Sequence, residues 1–247
     1  TINNVADVTM TGAGFENLFG SSVATAGDVN GDGYDDVIVG TNPSYDLFEK
    51  AYIFYGGHVM DNNADVVFTE SNIIGFGYSV STAGDVNGDG YSDVIIGSNW
   101  YGYALIYFGG SVMNNLADVI LHTINGNITH FGWSVSSAGD VNGDGFSDVI
   151  VGAQQSNKGK TYIYFGSSSM DDSADVKITN EAPNGITGIS VSSAGDVNGD
   201  GFSDVIVGTT NFFLFDYGRV YIYLGGAVFD TIADVTFSMS DELTFGV

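Results

Sequence analysis

Apolar residues in this chain come in short runs bounded by Gly, Asp, Asn and Ser, and no segment carries an apolar stripe at helical spacing. The most regular runs are VIVG from Val37, VIIG from Val94, VIVG from Val149 and VIVG from Val205. Each is preceded by an alternating stretch: SVATAG from Ser22, SVSTAG from Ser79, SVSSAG from Ser134 and SVSSAG from Ser190. Each is followed by an aromatic run: AYIFYGG from Ala51, ALIYFGG from Ala104, TYIYFGS from Thr161 and VYIYLGG from Val220. An ADV segment closes each unit at Ala64, Ala117, Ala174 and Ala233. Runs of this length with turn formers between them predict strands. Four short strands per unit, recurring at a spacing in the fifties, predict propeller blades. The expectation is an all-β chain, a β-propeller of four-stranded antiparallel blades over 1–247, with four blades at about 15–69, 70–122, 123–179 and 180–238. Segments 1–14 and 239–247 are then flanking strands of a continuing or closing array. An extra ADV at Ala6 and an FG at Phe245-Gly246 lead to the expectation that the array continues into a larger ring.

Composition sharpens this picture. Gly 36 against Pro 2, with 13% aromatic residues, suits short strands joined by tight turns. Thirty acids against five bases give a formal net charge of −25, which disfavours nucleic acid and anionic membrane surfaces as partners. No run of 18 apolar residues is present, so no membrane insertion is expected. With no Cys, disulfides, thiolate metal sites and Cys nucleophiles are excluded. Clustered carboxylates without counter-cations repel, and a bound metal relieves that repulsion.

The acids are clustered between the alternating stretch and the VIVG-type run. Asp28–Asp36 reads DVNGDGYDD, Asp85–Asp93 reads DVNGDGYSD, and Asp140–Asp148 and Asp196–Asp204 both read DVNGDGFSD, at spacings of 57, 55 and 56 residues. Positions 1, 3, 5, 7 and 9 of such a loop converge on one point. Hard oxygen donors there suit calcium, which takes six to eight oxygens. The predicted sets are Asp28, Asn30, Asp32, the Tyr34 carbonyl and Asp36; Asp85, Asn87, Asp89, Tyr91 and Asp93; Asp140, Asn142, Asp144, Phe146 and Asp148; and Asp196, Asn198, Asp200, Phe202 and Asp204. Gly31 and Gly33 allow backbone angles that other residues resist. Position 12 is Val39, Ile96, Val151 or Val207, so carboxylate ligation ends at position 9 and a helix–loop–helix site is excluded.

With FG at Phe19-Gly20, Phe76-Gly77 and Phe131-Gly132 ahead of these loops, the chain resembles the FG-GAP repeats of the integrin α-subunit N-terminal propeller and its bacterial relatives. The fourth repeat departs, with Gly188-Ile189 where FG is expected, and the GAP element reads GTNP, GSNW, GAQQ and GTTN. The resemblance implies four Ca²⁺ sites on the ligand sets above and a secreted, extracellular or cell-surface setting.

In a four-stranded blade the calcium loop and the third-to-fourth-strand loop share one face, and the second-to-third-strand loop lies on the other. Those latter segments are dissimilar and gather most of the cations and many aromatics. Variable loops on a repeated scaffold commonly bind. The candidate ligand-binding residues are Trp100, Tyr101, Tyr103, Lys158, Lys160, Phe213 and Arg219, for a protein or glycan partner. The opposing reading makes these aromatics covers for blade edges. The repeated Met60, Met113, Met170 and Phe229 are expected in the core, His58, His122 and His130 are expected to be incidental, and Asn127-Ile128-Thr129 is a lone glycosylation sequon. No catalytic constellation is evident, so the function expected is adhesion or recognition and not catalysis. The alternatives are a fragment of a calcium-dependent propeller enzyme such as a polysaccharide lyase, or a self-assembling spacer. Scarce cations and the net charge count against the lyase, which must neutralise a uronate.

Overall fold

The computed structural model describes residues 6–12, 18–42, 49–123, 130–154, 159–179, 186–210 and 218–238. Among the described residues, sixteen strands form four antiparallel sheets of four. The first blade is β1 (Ser22–Gly27), β2 (Asp36–Gly40), β3 (Lys50–Phe54) and β4 (Val66–Thr69), in that order across the sheet. The second is β5 (Phe76–Gly84), β6 (Asp93–Ser98), β7 (Tyr103–Tyr107) and β8 (Val119–His122). The third is β9 (Phe131–Gly139), β10 (Asp148–Ala153), β11 (Lys160–Tyr164) and β12 (Val176–Thr179). The fourth is β13 (Ile186–Gly195), β14 (Asp204–Thr210), β15 (Arg219–Tyr223) and β16 (Val235–Ser238). These are β-propeller blades, as the repeat predicts.

The second and third strands read as continuous apolar runs because both their faces are covered. On β6, Val94 and Ile96 pack toward the first blade with Ile38, Ile53 and Phe68, while Ile95 faces the third blade with Val149 and Val151. The same division recurs between the third and fourth blades, where Ile150, Ile163 and Ile178 meet Val205, Val207, Tyr221 and Tyr223. The core is therefore a series of seams between sheets. Met113 is buried in the first seam, and Met60, Met170 and Phe229 are partly buried against the clusters, as expected of core side chains.

The two ends of the stack differ from the seams. On the outer face of the first blade, Met10 and Phe19 pack on Val39, Tyr52 and Phe54. Residues 6–12 form no strand, unlike the reading of Ala6–Val8, since among the described residues no third strand lies alongside to pair with it. At the other end, Phe237 on β16 is 56% exposed, where Phe68, Leu121 and Ile178 at the same place in β4, β8 and β12 are fully buried. Among the described residues nothing packs over that face. None of the described residues forms a helix long and apolar enough to cross a membrane. The C-terminal Phe245-Gly246 lies outside the described residues.

Candidate metal loops and the face opposite them

Each acidic loop joins the first and second strands of its blade and is wound on its own hydrogen bonds. The Asp28 carboxylate accepts from the N–H groups of Gly31 (2.7 Å), Asp32 (3.0 Å) and Gly33 (2.8 Å). Asn30 Nδ2 donates to Asp32 Oδ2 at 3.0 Å, and Asp32 Oδ1 accepts from Tyr34 N–H at 2.9 Å. This winding needs left-handed backbone at Gly31 (φ 76°) and Gly33 (φ 89°), where a side chain would be strained. The same bonds recur around Asp85, Asp140 and Asp196.

The position-9 carboxylate has a structural duty that the sequence did not reveal. Asp36 is buried, with Oδ2 accepting from Val29 N–H (2.9 Å) and Oδ1 from Gly56 N–H (2.7 Å) beyond β3. Asp93, Asp148 and Asp204 repeat this staple on Gly109, Gly166 and Gly225. Burial pushes Asp93 and Asp148 up to about 7, against the pull of their backbone donors, and the like charges at positions 5 and 1 add to the rise. Desolvation also raises Asp36.

The donors in each loop are all oxygens, three carboxylates and an amide within nine residues, which is the chemistry of a hard divalent cation site. A carboxylate offers about four lone-pair positions, so one that accepts two or three N–H bonds keeps capacity for a metal. Among the described residues no three Asp, Glu or His groups form a ready-made cluster for a metal ion.

On the opposite face, Trp100 and Tyr101 are 51% and 55% exposed in the turn between β6 and β7. Trp100 meets the His130 ring edge-on at 6.5 Å, His130 meets Trp133 at 6.0 Å, and Trp133 meets Tyr78 at 4.9 Å. His130 Nδ1 lies 3.0 Å from the Asn99 carbonyl, to which it donates. His130 is therefore part of an aromatic patch across the second and third blades. Trp133 and Tyr78 were missed in the sequence; each directly follows an FG, where the first repeat has Ser21, and that was the available signal. Tyr103 sits apart from Trp100's partners, edge-on to His122 at 6.0 Å. Lys160 and Arg219 open β11 and β15, in the third and fourth blades. Lys158, Phe213 and the sequon at Asn127 lie outside the described residues.

A stack of four-stranded blades, each with an Asp-rich loop between its first two strands, defines a β-propeller with acidic interstrand loops. The FG-GAP repeat matches at residues 19–55, 76–112, 131–164 and 187–223, so the chain belongs to the FG-GAP repeat family. It is similar to integrin alpha-5 of Xenopus laevis, 28% identical over 249 residues that cover 90% of this chain and 22% of that protein. It is also similar to integrin alpha pat-2 of Caenorhabditis elegans, 33% identical over 224 residues, covering 77% of this chain and 18% of the relative. Integrin alpha-7 of Rattus norvegicus is 35% identical over 144 residues, 55% of this chain and 13% of that protein. The chain thus spans about a fifth or less of the length of these relatives.

The fourth repeat keeps more of the motif than its sequence indicated. Gly188 has φ 77°, matching Gly77 (φ 84°) and Gly132 (φ 80°), and its carbonyl abuts Gly152 as that of Gly77 abuts Gly40. The departure is at the preceding residue, where buried Thr187 replaces Phe.

Proposed function

We propose that this chain is a calcium-binding recognition module that works outside the cell or at its surface and is not an enzyme. The observation that carries this reading is the fourfold recurrence of one loop with all-oxygen donors and the same internal hydrogen bonds. Asp28, Asn30, Asp32, the Tyr34 carbonyl and Asp36 would hold one ion, and the corresponding sets in the other loops three more. Closing on an ion asks for side-chain rotation at positions 1, 3 and 5, which are exposed or half-buried, toward a position-9 carboxylate that is buried and already held by backbone donors. Bound calcium supplies positive charge that offsets the carboxylates. The similarity to integrin alpha chains supports a role in adhesion, and the Trp100–His130–Trp133–Tyr78 patch, on the face away from the loops, is the proposed docking face for a protein or glycan. The uncovered face of β13–β16 is proposed to pack against further blades of the parent protein or another copy.

Calorimetric titration tests the metal reading. We expect four calcium ions per chain, with Kd about 10⁻⁴–10⁻³ M as in extracellular modules. Asp32→Ala should reduce the count to three. A count of zero in the unaltered chain, or still four in the variant, counts against the assignment. A glycan array with and without calcium, repeated on Trp100→Ala, tests the docking face. Loss of a signal in the variant with calcium content unchanged supports it; a variant that binds like the parent does not.

A further inference from the structure

Three of the four loops are closed over by the blade that follows. The position-7 ring of one loop lies on the position-4 glycine of the loop before it: a Cβ at Gly31 would stand 2.6 Å from Tyr91 Cε1, and one at Gly88 would stand 2.6 Å from Phe146 Cε1. The Phe202 ring covers Gly143 in the same way. Beside each ring, the next residue donates its N–H to the position-1 carbonyl of the preceding loop: Ser92 to Asp28 (3.0 Å), Ser147 to Asp85 (2.9 Å) and Ser203 to Asp140 (2.8 Å). The turn after the third strand adds a second bond, to the position-2 carbonyl: Gly110 to Val29, Ser167 to Val86 and Gly226 to Val141, each 2.8 Å. Positions 1, 2 and 4 of a loop are thus pinned from outside its own blade.

The fourth loop has no such cover among the described residues. A Cβ at Gly199 would meet nothing within 4 Å. Val197 is 53% exposed, where Val29, Val86 and Val141 are fully buried. Asp196 is exposed, where Asp28, Asp85 and Asp140 are half-buried. The first loop supplies the mirror case: Tyr34 is exposed, and among the described residues it covers no loop glycine.

We propose that the position-7 side chain of each loop is a positioning residue for the metal site of the preceding blade. With the β13–β16 face left open, the sites then form a series in which the first three are held ready by a neighbour and the one at Asp196 is weakest. The inference rests on the calcium reading. A loop that must draw repelling carboxylates together loses less conformational freedom on binding if its backbone is already fixed. Partial removal of water beside it also strengthens the attraction between ion and carboxylate. Tyr and Phe both serve, so the flat ring matters and the hydroxyl does not.

The test is a calcium titration of the full chain followed by amide NMR at Gly33, Gly90, Gly145 and Gly201. These N–H groups donate to the position-1 carboxylates, and no neighbouring blade stands within 4 Å of a Cβ built there. In the unaltered chain the Gly201 midpoint should fall at about tenfold higher calcium than the other three, the size usual for loss of an outer-shell partner. Tyr91→Ala should raise the midpoint at Gly33 by about tenfold while Gly90, in the altered loop itself, moves by less than about twofold. Tyr91→Phe should restore Gly33, and Tyr34→Ala should leave the other three loops unmoved. One common midpoint for all four glycines, or a Tyr91→Ala effect confined to Gly90, overturns the proposal and leaves the calcium reading standing. Absence of any response to calcium at all four overturns both. The order of midpoints in the unaltered chain needs no variant, so a Tyr91→Ala chain that fails to fold does not shelter the idea.

Discussion

At the scale of single residues, Thr187 is the most exposed to test. It is 2% exposed, sits where Phe76 and Phe131 fill the first two seams, and buries a hydroxyl that finds no hydrogen-bond partner. An orphaned buried hydroxyl costs stability that an isosteric methyl does not. Thr187→Val should therefore raise the unfolding free energy by about 1 kcal/mol, read as a higher urea midpoint at unchanged slope. An unchanged or lower midpoint would mean that the hydroxyl is satisfied. The sequence put the departure one residue late, at Gly188-Ile189, because FG was sought as a pair; only the left-handed φ of Gly188 shows that the glycine is kept. The position-9 aspartates were legible as acidic positions in a loop. Their staple to Gly56, Gly109, Gly166 and Gly225 was not, since the donor in each case lies beyond the third strand, 20 residues on for Asp36.

Among elements, the seams between blades carry the fold, and two of their contacts make opposite predictions. Gly97 on β6 faces the carbonyl of Gly132 on β9 at a distance that leaves no room for a Cβ. Gly97→Ala must push two strands apart, and we expect a loss of roughly 1–3 kcal/mol by chemical denaturation. Glu49, just ahead of β3, is buried and accepts from Phe76 N–H (3.0 Å) at the start of β5, so a carboxylate ties two blades together. Burial raises its pKa above the ordinary 4.5, against the pull of its bonds to Phe76 and Gly75. A raised pKa means that the fold favours the protonated form. Its contribution to stability is therefore full below 4.5 and is lost as pH rises through the raised value. Glu49→Gln keeps an acceptor oxygen and has no charge to bury. The variant should gain on the parent as pH rises from about 4 to 7, measured by urea unfolding at each pH. A constant difference across that range would remove Glu49 as the source. The strands themselves were legible, because covering both faces of a second or third strand demands an uninterrupted apolar run such as VIIG. At Ala6 the same ADV forms no strand for a physical reason: ADV begins a strand where a third strand lies beside it, as at Val66 beside Ile53, and among the described residues none lies beside Ala6.

For the molecule as a whole, a net charge of −25 is the quantity that the proposed calcium ions would act upon. At free calcium about tenfold above Kd, each site adds roughly 1.4 kcal/mol, so four add about 6 kcal/mol. EGTA should then lower the melting temperature by roughly 10–20 °C for a chain of this size, seen by calorimetry. Identical melting with and without chelator contradicts the calcium reading. The uncovered face bearing Val197 and Phe237 should drive concentration-dependent association in light scattering with millimolar calcium, and a monomer at every concentration would argue against it. The aromatic patch that individualises the second and third blades was only half legible, because Trp100 and Tyr101 stand in an unlike loop while Tyr78 and Trp133 hide in the repeated strands β5 and β9. The seams have a further consequence, for how such a chain changes over generations. Every blade presents the same carbonyls and the same bare glycine on one side, and a ring followed by a backbone N–H on the other, carried by serine in the second to fourth blades and by Asp35 in the first. A duplicated or deleted unit therefore meets a ready-made neighbour at both junctions. Copy number can drift without a new contact having to be invented, while a change such as Thr187 stays private to the one seam where it arose.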